Sequence, residues 1–387
     1  MAAAPDCRQN RYCFITSMNK AYITAIGTAL PPYRTPQQDI ANFMASMLEM
    51  DERERRQLRI LYRASAIKYR YSVIEDYQLD QSDFTFYDQH GKQPPGVSRR
   101  MQLYRETAVK LASNAAIDCL KVNHTSAQNI THLITISCTG MYAPGLDIDL
   151  VQKLELPDSV HRTAVNFMGC YGAFNGLKLA DAICRADNSA RVLVVSAELC
   201  SIHFQQSKKP DDLLSGALFG DGAAAVLVEA APAREGLSIA LEQFHCTLVP
   251  RGQEDMTWNI GDFGFEMKLS AYVPNLIKGG IQDFVNKLLQ KLPAPTPAID
   301  YFAIHPGGKR ILERIEEVLQ IDREQNRFAW EVLREYGNLS SATVLFVLKN
   351  LLDSLTPADA GKQVLSMAFG PGLTMESAML KIATPAT

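Results

Sequence analysis

The stretch Ala164-Val-Asn-Phe-Met-Gly-Cys-Tyr-Gly-Ala-Phe-Asn-Gly-Leu-Lys-Leu-Ala180 runs from a short apolar segment through a Gly-Cys pair into a helix of small residues. It sets one thiol, Cys170, at a helix N-terminus. Free backbone N–H groups and the positive end of the helix dipole favour a thiolate there, so Cys170 is predisposed to nucleophilic chemistry. A cysteine among Gly and Ala is also the ordinary form of a small buried hydrophobe, and the local sequence leaves both readings open. What shifts the balance lies downstream, in His305 and Asn338.

Working outward, Arg191-Val-Leu-Val-Val-Ser-Ala-Glu198, Ala223 to Ala230 and Thr131 to Thr139 read as buried strands. Upstream, the run from Ala21 reads as a strand closed by Pro31-Pro32. Thr35-Pro36-Gln37-Gln38 has the form of a capping box with Pro at the first helical position. Ile40, Phe43, Met44, Met47 and Leu48 then recur at helical spacing, so an amphipathic helix follows. Residues 75–97 are polar and turn-rich, which predicts a loop, and a helix is expected from about Met101 to Leu120. Past a boundary at Pro232 the plan repeats: a helix around Pro274 to Leu292, a strand Tyr301 to His305, a helix on Ile311, Leu312, Ile315, Val318 and Leu319, and two strands at Val364–Phe369 and Leu373–Leu380 hinged by Gly370-Pro-Gly372. Strands alternating with helices predict an α/β layered fold with a parallel sheet.

The chain divides into a loose extension over residues 1–19, a first half over 20–232 carrying the nucleophile, and a second half over 233–387 carrying the His and Asn. Gly169-Cys170 opens a small-residue helix in the first half, as Gly337-Asn338 opens a buried helix in the second. If the halves are pseudo-twofold copies, the two helix ends face each other across one site.

At 387 residues and 47% hydrophobic content the chain can bury a large core. Lys plus Arg number 39 against 42 for Asp plus Glu, a net charge of −3, so the balance calls for neither nucleic acid nor a membrane surface. The eight cysteines, at 7, 13, 119, 138, 170, 184, 200 and 246, show no CxxC spacing, which suits reduced thiols in a cytoplasm and argues against a metal site. No stretch reaches the roughly 18 apolar residues of a spanning helix, and Met1 to Ser17 lacks the apolar core of a signal peptide. A cationic segment, Arg53, Arg55, Arg56, Arg59, Arg63, Lys68 and Arg70, is either a solvated helix face or a set of guanidinium forks for the phosphates of a nucleotide-bearing thioester such as a CoA.

His305 sits at the end of its strand with Pro306-Gly307-Gly308 behind it, so backbone there can approach a ligand closely. Singly, a strand-end His and a helix-head Asn are ordinary structural residues. Together with Cys170 they make a thiol, an imidazole and a neutral amide: a nucleophile with hydrogen-bond donors for a developing oxyanion.

Met168-Gly-Cys170, Gly216-Ala-Leu-Phe-Gly-Asp-Gly-Ala-Ala224, Ile304-His-Pro-Gly-Gly308, Tyr336-Gly-Asn-Leu-Ser-Ser-Ala342 and Phe369-Gly-Pro-Gly-Leu-Thr374, in this order, resemble the type III polyketide synthases, the chalcone and stilbene synthase family, and in particular its bacterial members. The likeness spans about residues 20 to 382. It implies a thiolase fold, a duplicated αβαβα layered architecture, in a homodimer. It implies iterative decarboxylative condensation of malonyl-CoA onto an acyl-CoA starter, with CoA thioesters as substrates and no further cofactor. Cys170 would hold the acyl chain, and His305 and Asn338 would serve decarboxylation and the oxyanion. Phe219 and Phe265 would be gatekeepers, Gly307 and Ser340 would contact substrate, and Arg59 and Arg63 would meet the CoA phosphates. Thr139, Ala143 and Cys200 fall where bacterial members open a tunnel for an alkyl tail, so a medium or long starter and an alkylpyrone or alkylresorcinol product are expected. His203 would narrow the main cavity. Cys138 resembles members that use malonyl-CoA alone, which makes naphthalene-type products the competitor.

A ketoacyl synthase III-like enzyme of one condensation shares the triad, but the His-Pro-Gly-Gly and Gly-Pro-Gly motifs argue against it. A papain-like hydrolase shares the order Cys, His, Asn, yet a thiol within a buried Gly/Ala helix could hardly receive a polypeptide. A non-catalytic partner subunit of the same fold would be expected to lose members of the triad.

Overall fold

The apolar runs become strands of one nine-stranded sheet in a computed structural model that describes residues 20–87, 94–270, 272–295 and 298–386. The expected loose extension lies outside the described residues. From edge to edge the strands are Tyr301–Ile304, Gln363–Gly370, Thr374–Ala383, Ser238–Leu248, Ala21–Ala29, Asp221–Glu229, Arg191–Leu199, His132–Ser137 and His161–Asn166. The halves join where Ala21–Ala29 pairs with Ser238–Leu248, Ile23 opposite Ile239.

Outward from that seam the order is nearly a palindrome. Ala21–Ala29, Asp221–Glu229, Arg191–Leu199 and His132–Ser137 correspond to Ser238–Leu248, Thr374–Ala383, Gln363–Gly370 and Tyr301–Ile304. The helices Gly172–Ala186 and Thr343–Ser354 occupy matching places between the halves, and their apolar faces share one core with both (Phe174, Leu177, Val194, Val226, Leu345 and Leu348). A second core lies under the Val97–Val122 helix outside the first half, and a third under Val273–Leu289 and Lys309–Leu319 outside the second. The middle core wraps both faces of the central helices and the other two lie outside the sheet halves, which gives helix, sheet, helix, sheet and helix: the duplicated αβαβα plan of the thiolase fold.

The sheet is mixed, not parallel. His132–Ser137 runs parallel to its two neighbours and Tyr301–Ile304 to Gln363–Gly370, whereas Asp221–Glu229 runs antiparallel to Arg191–Leu199. Leu199 lies opposite Asp221, so residues 200–220 leave and rejoin the sheet at the same end. Their helix, Pro210–Leu218, is an excursion and not a crossover, which alternation of elements alone does not reveal.

The capping box expected at Thr35 does not form. Thr35 belongs to a short strand, Tyr33–Pro36, paired with Tyr69–Ser72, and the helix Gln37–Met47 starts after Pro36 without a side-chain cap. Gln37 is drawn into the interior instead. A reciprocal box does form one helix later, where Asp51 and Glu54 cap Glu52–Ala64. The polar segment expected as a loop is tied inward: Asp76 accepts from the N–H groups of Thr85, Phe86 and Tyr87, and Tyr77, Phe84 and Tyr87 surround Phe43; residues 88–93 lie outside the description. His161–Asn166, Ser238–Leu248 and the hairpin Met256–Gly261 with Gly264–Leu269 have no forerunner in the sequence reading. No helix among the described residues is long and apolar enough to cross a membrane.

Candidate active site

Both helix heads use the same backbone device. Gly169 (φ +79°) precedes the 3₁₀ turn Gly169–Tyr171 that feeds Gly172–Ala186; Gly337 (φ +73°) precedes Asn338 and the turn Ser340–Ala342 that feeds Thr343–Ser354. A side chain at Gly169 would meet Pro371 Cδ at 2.3 Å, and one at Gly337 would meet the Leu218 carbonyl at 2.7 Å. Only glycine turns the chain this way under such close neighbours.

Across the gap between the halves, Cys170 Sγ lies 3.9 Å from Asn338 Nδ2 and 4.0 Å from Ser340 Oγ. Asn338 is held in one orientation. Its Oδ1 accepts from Ser340 N–H at 2.8 Å and from the Thr343 hydroxyl at 3.2 Å, its NH₂ reaches the Gly307 carbonyl at 3.5 Å, and both ends of the amide lie 3.9 Å from the thiol sulfur. His305 follows Tyr301–Ile304, its backbone N–H bonded to Met367 O at 2.8 Å; neither ring nitrogen has a hydrogen-bond partner among the described residues. Cys170, His305, Gly307, Phe219, Asn338 and Ser340 all line one pocket.

Burial in that pocket reverses the charge state expected of a helix-head thiol. Burial pushes Cys170 up to about 12, partly offset by hydrogen bonds from Ser340 and Asn338. Burial alone holds His305 down, to about 3. At neutral pH the free site is therefore thiol plus neutral imidazole, because desolvation outweighs the helix dipole.

The second wall is aromatic. Phe265 stacks on His203 with ring centroids 4.2 Å apart, and Trp258 stands edge-on to both. His203 Nδ1 accepts from Phe265 N–H at 2.9 Å and Nε2 lies 2.7 Å from the Thr139 carbonyl, which assigns the proton to Nε2. Burial lowers this imidazole to about 3 as well. His203 is thus a neutral strut that carries Phe265. Thr139 and Cys200 line the cavity too; the Thr139 hydroxyl is engaged with Glu198 at 2.8 Å. Glu198 is fully buried, accepting from Cys138 N–H at 3.0 Å and from the Ser341 hydroxyl, and burial raises its carboxyl.

Ala143 does not join this group. It is exposed and lines a separate crevice with Ala164 and Asn166 of the edge strand. Arg59 and Arg63 also lie elsewhere: the cavity adjoining the first at Gly307 and Ile311 is lined by Lys208, Lys309 and Arg310 beside Leu58 and Leu61, without either arginine. The helix Glu52–Ala64 presents Glu54, Gln57, Leu58 and Leu61 to that mouth, and Arg59 and Arg63 are not among its lining residues. Trp258, Met256 and Met267 escaped the sequence reading. They sit on the hairpin around Gly261-Asp-Phe-Gly264, and that turn signal was the only one available. Among the described residues no cluster of three or more His, Cys, Asp or Glu side chains is placed to hold a metal.

The family model for chalcone and stilbene synthases, N-terminal domain, matches residues 9–232, and that for the C-terminal domain matches residues 240–384. The chain is 31% identical over 383 residues to type III polyketide synthase A of Arabidopsis thaliana, covering 96% of this chain and 95% of that protein. It is 31% identical over 365 residues to the alpha-pyrone synthesis polyketide synthase-like Pks18 of Mycobacterium tuberculosis, covering 94% and 91%. The solved C-terminal type III polyketide synthase domain of Steely1 from Dictyostelium superposes with a TM-score of 0.87 at 28% identity, covering 95% of this chain and 100% of that one.

Proposed function

The chain belongs to the chalcone and stilbene synthase family and is a type III polyketide synthase, an acyltransferase, and from that premise we propose how its own residues carry the reaction. Cys170 attacks the thioester of the starter acyl-CoA while its proton passes to His305, whose free ring nitrogens are available to receive it. The acyl chain stays on Cys170 and CoA leaves. Malonyl-CoA then loses carbon dioxide, and its enolate oxygen is met by the NH₂ of Asn338 and by His305. Attack of the enolate on the Cys170 thioester forms the carbon–carbon bond and breaks the bond to the Cys170 sulfur, so the extended chain rests on the CoA that brought the malonyl unit. The freed thiolate then takes the chain back and that CoA leaves. A neutral amide suits this work, since a carboxylate in its place would repel both the malonyl carboxylate and the enolate. The observation that carries the reading is Asn338: its amide is held by Ser340 N–H and the Thr343 hydroxyl with its NH₂ 3.9 Å from the Cys170 sulfur, in the pocket that His305 also lines.

CoA is proposed to occupy the adjoining cavity, its phosphates near Lys208, Lys309 and Arg310 and its pantetheine passing Gly307. No further cofactor is needed for these steps. A medium or long aliphatic starter is proposed, its tail lying toward Met44, Tyr77, Cys200 and Phe204 at the apolar side of the cavity, giving an alkylpyrone or alkylresorcinol. The likeness to a relative named for alpha-pyrone synthesis supports this choice. We take the enzyme to be a homodimer built on the exposed edge strand His161–Asn166, which would bring Ala143 to the interface. Six unpaired cysteines among the described residues support a reducing, cytoplasmic setting.

Incubation with malonyl-CoA and a panel of aliphatic and aromatic acyl-CoAs, followed by mass identification of products and of the labelled peptide, tests the proposal. Label on Cys170 and alkylpyrone masses are expected. Label on Cys138 or Cys200 overturns the assignment of the nucleophile, and products from malonyl-CoA alone overturn the assignment of the starter.

A further inference from the structure

The helix Pro210–Leu218 ends at Phe219, and its last carbonyls have no partner within the helix, as at any helix C-terminus. Here each is met by a different part of the chain. The Tyr62 hydroxyl donates to Gly216 O at 2.9 Å, Gln37 Nε2 to Ala217 O at 2.8 Å, Asn338 N–H to Leu218 O at 2.9 Å, and Arg70 Nη1 to Phe219 O at 2.7 Å. Gly220 N–H returns to Asn338 O at 2.9 Å, so Phe219 and Asn338 are locked side by side.

Two of these donors are bonded to each other. Arg70 Nε donates to Gln37 Oε1 at 2.9 Å, and both side chains are 95% buried. Arg70 pairs with no carboxylate among the described residues; its charge lies against the negative end of the helix dipole instead. Its methylenes also fill the space beside Gly337, where an added Cβ would lie 3.1 Å from Arg70 Cγ. Neither Gln37 nor Arg70 has a role in the chemistry described above, yet together they grip both the aromatic wall and the strand end that presents the amide.

We propose that Gln37 and Arg70 are positioning residues for condensation: a buried bracket that holds Phe219 and Asn338 in register with Cys170. The inference rests on the roles proposed for those two residues. Loss of a carbon dioxide needs only the enolate oxygen to be met. Forming the new bond also needs the enolate carbon aimed at the thioester, which is far more sensitive to placement. A slack bracket therefore lets malonyl-CoA decarboxylate without condensing.

The test compares wild type with Arg70→Met, Arg70→Lys and Gln37→Leu, measuring labelled carbon dioxide released, carbon–carbon bonds formed, kcat and KM for malonyl-CoA, and thermal midpoint. Arg70→Met and Gln37→Leu should lower kcat for condensation about 10- to 100-fold, with KM little changed and more carbon dioxide released per bond formed than in wild type. Arg70→Lys, which keeps a cation at the helix end, should bring that ratio part of the way back. A merely structural loss would scale both activities by the folded fraction and leave the ratio alone. An unchanged ratio in the variants that fold, with an active wild type, overturns the inference alone. A wild type that forms no carbon–carbon bond overturns the proposed function and this inference with it. Should Arg70→Met fail to fold, Gln37→Leu and Arg70→Lys decide the matter by the same ratio.

Discussion

The two helix heads differ in one respect that their shared backbone hides. Gly169-Cys170 and Gly337-Asn338 both turn through a positive φ into a 3₁₀ turn and a buried helix. Yet among the described residues the Cys170 sulfur has no side-chain hydrogen-bond partner closer than 3.9 Å, while the Asn338 amide is fixed by bonds of 2.8 and 3.2 Å. A nucleophile must change its bonds in every turnover, so it is left slack. An oxyanion donor acts by being in place before charge develops, so it is held. Duplication supplied one scaffold twice, and the side chains divide the labour.

The division breaks hardest at Cys170. Cys170→Ala should abolish product formation yet leave carbon dioxide release from malonyl-CoA measurable, because His305 and Asn338 remain; loss of both would mean that the thiol also serves decarboxylation. Asn338→Ala should cost about 10²- to 10³-fold in both decarboxylation and condensation. Carbon dioxide release at the wild-type rate in that variant would remove Asn338 from the enolate site.

A third effect follows from the burial of Cys170. With Cys170 held near 12 by burial, the thiolate fraction at neutral pH is small and rises with pH. Alkylation of Cys170 by iodoacetamide in the free enzyme should therefore accelerate about tenfold per pH unit between roughly pH 7 and 9, without a plateau. A plateau beginning below pH 8 would show a standing thiolate–imidazolium pair, the state suggested by helix-head placement alone.

That third effect marks where the sequence stops being legible. Residue type and spacing carried most of the strands and singled out Cys170, His305 and Asn338, which line one pocket, because Gly-Cys, His-Pro-Gly-Gly and Gly-Asn each answer a local backbone need. They could not carry desolvation, which depends on what closes over Cys170 from the hairpin at Trp258 and Phe265, some ninety residues away. The same limit explains Thr35, whose helix-cap pattern yields to strand pairing with Arg70, and Arg59 and Arg63, whose charge says nothing of which way the helix faces. Ala143 lies apart from the cavity, on a crevice beside the edge strand that its place in the sequence does not foretell.

The smallest effect sharpens the comparison from the fixed side. The Thr343 hydroxyl shares its proton between Asn338 Oδ1 at 3.2 Å and Ser340 O at 2.7 Å, so it is the weaker of the two pins. Thr343→Val keeps the shape and removes the hydroxyl, while Ser340 N–H still holds Asn338 at 2.8 Å. One neutral buried hydrogen bond contributes about 1 kcal/mol, so stability should fall by that order and kcat by several-fold as the amide gains freedom. Decarboxylation and condensation should fall together, and the rate of Cys170 alkylation should change far less than turnover, since burial, the main cause of the thiol's state, is untouched. If alkylation changed as much as turnover, the two helix heads would be coupled through Thr343 and the contrast between a slack nucleophile and a fixed donor would not hold.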